Sequence, residues 1–136
     1  MSKNNTPLTV AITGASGAPY AVSLLRELAR LGQPVELTAS EMGRDMLRRE
    51  SGIPPDGALL PHLAASGIDT RLFREYSNDD LGAPPASGSH RTRGMVVCPC
   101  SVKTLSAIAS GACRCLIERA AEVCLPPAER LGGFCE

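Results

Sequence analysis

Three turns carry the side chains best suited to chemistry: Gly14-Ala15-Ser16, the single Ser40, and Ser101-Val102-Lys103-Thr104. Each follows an apolar run and leads into a helical pattern. Their hydroxyls therefore stand beside helix N-termini, whose free N–H groups and positive dipole end attract phosphate. The patterns G-x-x-x-x-G-K-[ST] and G-x-G-x-x-G are both absent from these turns, since Gly14 and Gly17 are three apart. Nucleoside-triphosphate hydrolysis and dinucleotide redox chemistry thus lack their fingerprints. Three serine turns in one register fit a mononucleotide such as FMN. The competing reading of each serine is helix capping, and the two roles are compatible because a bound phosphate can displace a cap.

Other chemistry-bearing residues read less sharply. Lys3 and Lys103 are the only lysines among fourteen basic side chains, and Lys103 falls in the first turn of a helix. Glu50 ends a helical pattern, where a glutamate is ordinarily solvated. Arg91 and Arg93 lie in a long loop and either clamp an anion or face water. His62 and His90 have no acid or nucleophile near them in sequence, which argues against a catalytic triad. The six cysteines, Cys98, Cys100, Cys113, Cys115, Cys124 and Cys135, crowd the last third of the chain. That is not how a disulfide framework spreads over a small domain. C-x-C is also poorer zinc spacing than C-x-x-C. Free thiols are expected, and no metal site.

The turns need a scaffold, and the periodicity supplies one. Residues 8–13 (LTVAIT) read as a buried strand, and Ala21, Leu24, Leu25, Leu28 and Leu31 make one face of a helix over 18–31 that Gly32 stops. A second strand is expected at 34–39 and a helix at 41–50, with Ser40 as its cap. Residues 51–67 read as connection with one short helix, and 70–75 as a third strand. A long loop follows over 76–93, then a buried strand at 94–98, a helix at 102–110 and a last helix at 113–125. This β-α-β-α order predicts the opening of a parallel α/β sheet. Ligands of such sheets bind at the carboxyl ends of the strands, where all three serine turns fall.

Composition bounds the function classes. The 136 residues read as one domain, 43% apolar and 21% charged, with net charge zero. A neutral chain with two Tyr, two Phe and no Trp offers neither a basic face nor a stacking platform for nucleic acid. No apolar run approaches the roughly 20 residues a membrane span needs. With a short polar N-terminus, the expected location is the cytoplasm.

The words themselves resemble a known family. ITGASGAPYAVSLLREL (12–28), NDDLGAPPASGSHRTRGMVVCPCSVKTLSAIASGA (78–112) and LIERAAEV (116–123) are similar to the UbiX-type flavin prenyltransferases, in the wider group of flavin-containing cysteine decarboxylases. The resemblance covers about residues 8–125 and implies a three-layer α/β fold, flavodoxin-like or Rossmann-like, with a parallel sheet. It implies a homo-oligomer, a dodecamer in the family, with FMN bound where subunits meet. It implies transfer of a dimethylallyl group from dimethylallyl monophosphate to reduced FMN, without a metal. The product is the prenylated FMN used by a partner UbiD-type decarboxylase. It assigns FMN contacts to Gly14, Ala15, Ser16, Ser40, Ser101, Val102, Lys103 and Thr104, and catalytic roles to Ser16 and Glu50, the latter in proton transfer.

The chain also departs from the family pattern. Arg114-Cys115 stands where the family has Asn-Asn or Asp-Asn, and Pro126 where it has a phosphate-binding lysine. After Leu125 the sequence PPAERLGGFCE reads as a truncated or frameshifted end, lacking the strand and the tyrosine and arginine that hold the prenyl phosphate. Little or no prenyl transfer is expected of such a chain. The alternatives are a non-catalytic FMN-binding or assembly remnant of the family, and a flavin-dependent decarboxylase of the wider group.

Overall fold

The computed structural model describes residues 5–125. Four strands, β1 (Leu8–Ile12), β2 (Val35–Ala39), β3 (Phe73–Glu75) and β4 (Met95–Val97), form one parallel sheet in the order β3-β2-β1-β4. The helices are α1 (Ala18–Arg30), α2 (Glu41–Ser51), α3 (Leu59–Ala65), α4 (Val102–Ala109) and α5 (Leu116–Cys124). No helix among the described residues is long and apolar enough to cross a membrane.

The α/β expectation holds, and the reason is the period-2 pattern of the strands. Val10, Ile12, Val35, Leu37 and Phe73 face one side of the sheet. There they bury against Ala18, Ala21 and Leu25 of α1, Leu47 of α2, and Leu59 and Leu63 of α3. The other face is more polar: Thr9, Glu36 and Thr38 are buried there. α5 and a 3-10 turn at Pro84–Ala86 cover it, joined through Leu116, Ala83 and Ala86. α1 ends at Arg30, and Gly32 (φ 71°) then turns the chain toward β2, a left-handed conformation that glycine adopts without strain.

Several boundaries differ from the sequence reading. The helix expected at 113–125 begins at Leu116, so Cys113 and Cys115 lie before it, with Cys115 as N-cap. What starts it is remote in sequence: Asn78 accepts from Leu116 N with its carbonyl (2.8 Å) and from Ile117 N with its side-chain oxygen (2.9 Å). The strand at 94–98 is shorter, and its residues are half-buried because, among the described residues, β4 pairs with β1 alone. The third strand keeps only Phe73–Glu75 of 70–75. The short helix within 51–67 is α3, whose first turn is held by the Glu75 carboxylate, which accepts from Leu59 N and Leu60 N.

One close approach fixes where α2 sits under the end of β1. A Cβ on Gly43 would lie 2.3 Å from the Ile12 carbonyl oxygen and 2.8 Å from its carbon, both backbone. Gly43→Ala should therefore destabilise the fold by about 1–3 kcal/mol, even though alanine is the better helix former. Gly88→Ala, with open space around it, should stay within about 0.5 kcal/mol. Urea midpoints at unchanged slope read both, and a neutral Gly43→Ala would mean that the α2–β1 contact is not this tight.

Candidate functional site

The carboxyl ends of the strands gather the three serine turns, and buried Thr13 ties two of them. Its hydroxyl donates to the Pro99 carbonyl (2.7 Å) and accepts from Ser101 N (2.8 Å), while its own N–H donates to Pro99 O (3.2 Å). The loop after β1 is thereby fixed to the turn before α4. The third turn is tied by Ser40 N, which donates to Ile12 O at 3.0 Å. Gly14 lets the first loop lie against α2, because a Cβ there would fall 2.4 Å from Met42 Cβ.

Between these turns opens a cavity of about 450 Å³, lined by Gly14, Ser40, Met42, Asn78, Ser101, Lys103, Thr104, Arg114, Cys115, Ile117 and Glu118. Two helices begin on it. Ser40 Oγ caps α2 by accepting from Gly43 N (3.0 Å), and Ser101 Oγ caps α4 by accepting from Thr104 N (3.1 Å) while donating to Thr104 Oγ1 (2.9 Å). The capping reading is thus correct for these two serines. The N–H groups of Glu41, Met42, Val102 and Lys103 have no intrahelical partner, as helix geometry requires of a first turn. Hydroxyls, first-turn amides and the Lys103 ammonium make a wall suited to an anion.

Ser16 behaves differently. It does not cap α1, whose N-cap is Gly17 with no side-chain bond. Instead its Oγ donates to Glu50 Oε2 (2.8 Å), while Gly17 N (2.8 Å) and Ala18 N (2.9 Å) donate to Glu50 Oε1. Glu50 at the end of α2 therefore fills the α1 N-terminus with the chain's own anion. These donors, Gly17 N first, then the Ser16 hydroxyl and Ala18 N, hold its carboxyl below the usual glutamate value.

Of the residues singled out by sequence, Gly14, Ser40, Ser101, Lys103 and Thr104 meet in one cavity, and Ser16 and Glu50 form a separate pair. Ala15 lies in the same loop without lining the cavity, and Val102 is 82% exposed on α4. Arg93 does not reach this edge: it bonds Gln33 Oε1 (2.6 Å) and Pro7 O at the amino end of the sheet. Arg91 is exposed. His90 has an acidic partner after all, since its Nε2 lies 2.9 and 3.0 Å from the oxygens of buried Glu36, which is 54 positions away and invisible to local reading. Residues missed as site candidates are Asn78, Arg114 and Glu118. Arg114 was visible only as a departure at a familiar position. Among the described residues, five cysteines are free and no group of three or more His, Cys, Asp or Glu could hold a metal. Pro126, Cys135 and the rest of the tail lie outside the described residues.

The family model described as Flavoprotein matches residues 1–131. The chain is 43% identical to the flavin prenyltransferase UbiX of Halalkalibacterium halodurans, over 90% of this chain and 60% of that protein. Among solved structures, AnUbiX (PadA1) in complex with FMN and dimethylallyl pyrophosphate matches with TM-score 0.72 and 35% identity, over 87% of this chain and 57% of that one. The dodecameric FMN-dependent UbiX-like decarboxylase of Escherichia coli O157:H7 matches with TM-score 0.72 and 36% identity, over 87% and 60%. The chain thus spans about 60% of the length of the relatives it matches.

The Glu50 cap carries a sign. Its carboxyl is lowered on folding, so its contribution to stability is fully present above the unfolded value of 4.5 and is lost as pH falls through the lower folded value. Glu50→Gln should be less stable than the parent at neutral pH, and the gap should close on acidification below 4.5. Urea midpoints of both chains across this range test it. A gap independent of pH would show that the charge of Glu50 is not what the α1 terminus holds.

Proposed function

We propose, from the premise that this chain belongs to the Flavoprotein family, that its cavity binds FMN and that the protein is a flavin prenyltransferase. The observation that carries this reading is the convergence of Gly14, Ser40, Ser101, Lys103 and Thr104 on one cavity between two helix N-termini. The donor set fits the group. It offers hydroxyls, amides and a cation for a phosphate monoester, and Met42 and Ile117 for a flat apolar ring. Reduced FMN, when bound, supplies the nucleophile that accepts the dimethylallyl group of dimethylallyl monophosphate. Relatives named flavin prenyltransferase, and a neighbour holding FMN and dimethylallyl pyrophosphate, support this choice.

The chain's own residues have definite parts in that reading. Ser101 and Thr104 orient the ligand by their hydroxyls, and Lys103 offsets its charge. Ser16 and Glu50 form a proton path: the Ser16 Oγ proton already points at Glu50 Oε2, and the lowered carboxyl is ionised at neutral pH and open to a proton. The three donors that hold it ionised also make it a weak base. A proton taken up there must displace one of them.

Association fits the same edge. Tyr20, Met42, Val102 and Leu105, on α1, α2 and α4, are 75, 60, 82 and 60% exposed. Large apolar side chains left bare around a polar cavity suit a homo-oligomer whose subunits complete the site, as the dodecameric neighbour suggests. The prenylated flavin would serve a UbiD-type decarboxylase.

Ser101→Ala removes a hydroxyl from the cavity and should weaken FMN binding by roughly 1–3 kcal/mol, whereas Val102→Ala should not. Flavin fluorescence titration of folded protein measures both, and equal affinities would remove the cavity from consideration. On this reading, anaerobic incubation with reduced FMN and dimethylallyl monophosphate, followed by mass analysis of the extracted flavin, should show a gain of one dimethylallyl group, a result that would overturn the expectation of little or no transfer drawn from the sequence. Bound but unchanged flavin would favour the non-catalytic FMN-binding reading instead.

A further inference from the structure

The cavity wall holds an ion pair that the reading above does not use. Arg114 precedes α5, and its guanidinium donates through Nε to Glu118 Oε1 (3.2 Å) and through Nη2 to Glu118 Oε2 (3.0 Å). Arg114 N also donates to Glu118 Oε1, at 2.9 Å. Glu118 is nearly buried, with 9% of its side chain exposed, while the Arg114 side chain is 66% exposed. Backbone and guanidinium of one residue thus grip one buried carboxylate. That is a fixed mount for an arginine, unlike a flexible surface pair.

Only one edge of the guanidinium is engaged. Among the described residues, no bond from Nη1 accompanies those of Nε and Nη2. Five N–H donors in a rigid fork suit phosphate oxygens. Lys103 stands on the same wall, close enough to help keep the Glu118 carboxyl below its ordinary value, with Arg114 the larger cause. Two cations against one carboxylate leave net positive charge beside Ser101 and Thr104.

We propose that Arg114 is the phosphate-selective contact of this cavity, gripping a phosphate monoester with the guanidinium edge that Glu118 leaves free, and that Glu118 is the positioning residue that aims it. This rests on the flavin-binding reading of the same cavity. The monoester belongs either to FMN or to the prenyl monophosphate, and the experiment separates them.

The folded chain is titrated with FMN, with riboflavin and with dimethylallyl monophosphate, in parallel with Arg114→Ala, Arg114→Lys and Glu118→Gln. Charge-assisted contacts of this kind lead one to expect that Arg114→Ala weakens the phosphate ligand by about tenfold or more. Riboflavin, which has no phosphate, should bind unchanged. A loss for FMN assigns Arg114 to the flavin phosphate, and a loss for dimethylallyl monophosphate alone assigns it to the prenyl phosphate. Arg114→Lys should recover part of the affinity. Glu118→Gln should lower the ratio of FMN to riboflavin affinity, or weaken dimethylallyl monophosphate in the second case, which a merely structural role would not do. Equal losses for FMN and riboflavin, or no loss for either phosphate ligand, would overturn the proposal while leaving flavin binding intact. A parent chain that binds none of the three ligands would overturn both.

Discussion

A single threonine hydroxyl sets the geometry on which the site depends. Thr13 lies where β1 ends, and its oxygen both donates to Pro99 and accepts from Ser101 N. Being buried, neither bond competes with water, and losing one would leave a polar group unsatisfied. The parallel register of β1 with β2 and β4 brings the three turns to the same level. Thr13 then locks the β1 loop to the start of α4, while Gly14 and Gly43 let α2 close in from the other side. A cavity with two helix N-termini on its wall follows from these contacts.

The charges on this edge are divided in a way that tells the helices apart. α1 has its N-terminus filled by Glu50, an anion covalently part of the chain. α2 and α4 carry neutral serine caps; α2 has Glu41 in its first turn, whereas α4 has no acid there, so the α4 dipole end in particular still favours an external anion. α5 begins on Asn78 and presents Arg114 and Glu118 beside it. The termini of α1 and α3 are satisfied by the chain's own carboxylates, Glu50 and Glu75, and that of α5 by Asn78, whereas those of α2 and α4 face the cavity. The same division separates the two parts of the proposed chemistry, ligand binding at Ser40 and Ser101 and proton handling at Ser16 and Glu50.

Much of this was legible in the sequence, because strands and helices with clean periods announce themselves. β1, α1, β2, α2 and α4 fall within a few residues of their expected places. The serine turns were recognisable as helix starts, and their convergence follows from a parallel sheet. What escaped was set by contacts distant along the chain. The start of α5 depends on Asn78, 38 positions before Leu116 in the sequence. The Glu36–His90 pair joins β2 to the long loop across the polar face of the sheet. Arg93, which from the sequence either clamps an anion or faces water, is drawn to Gln33 at the opposite end. Arg114 stood out only as a break in a familiar pattern, and its meaning rests on Glu118 one helical turn later.

The most direct test of the account is an amide NMR titration of the folded chain with FMN. The account predicts that the N–H signals of Gly14, Glu41, Met42, Val102 and Lys103 shift, because they belong to the β1 loop and to the open N-termini of α2 and α4. Gly17 and Ala18, already bonded to Glu50, should hold still while phosphate binds. Shifts centred on Gly17 and Ala18, or on Gln33 and Arg93 at the amino edge, would contradict the assignment of the cavity as the flavin site.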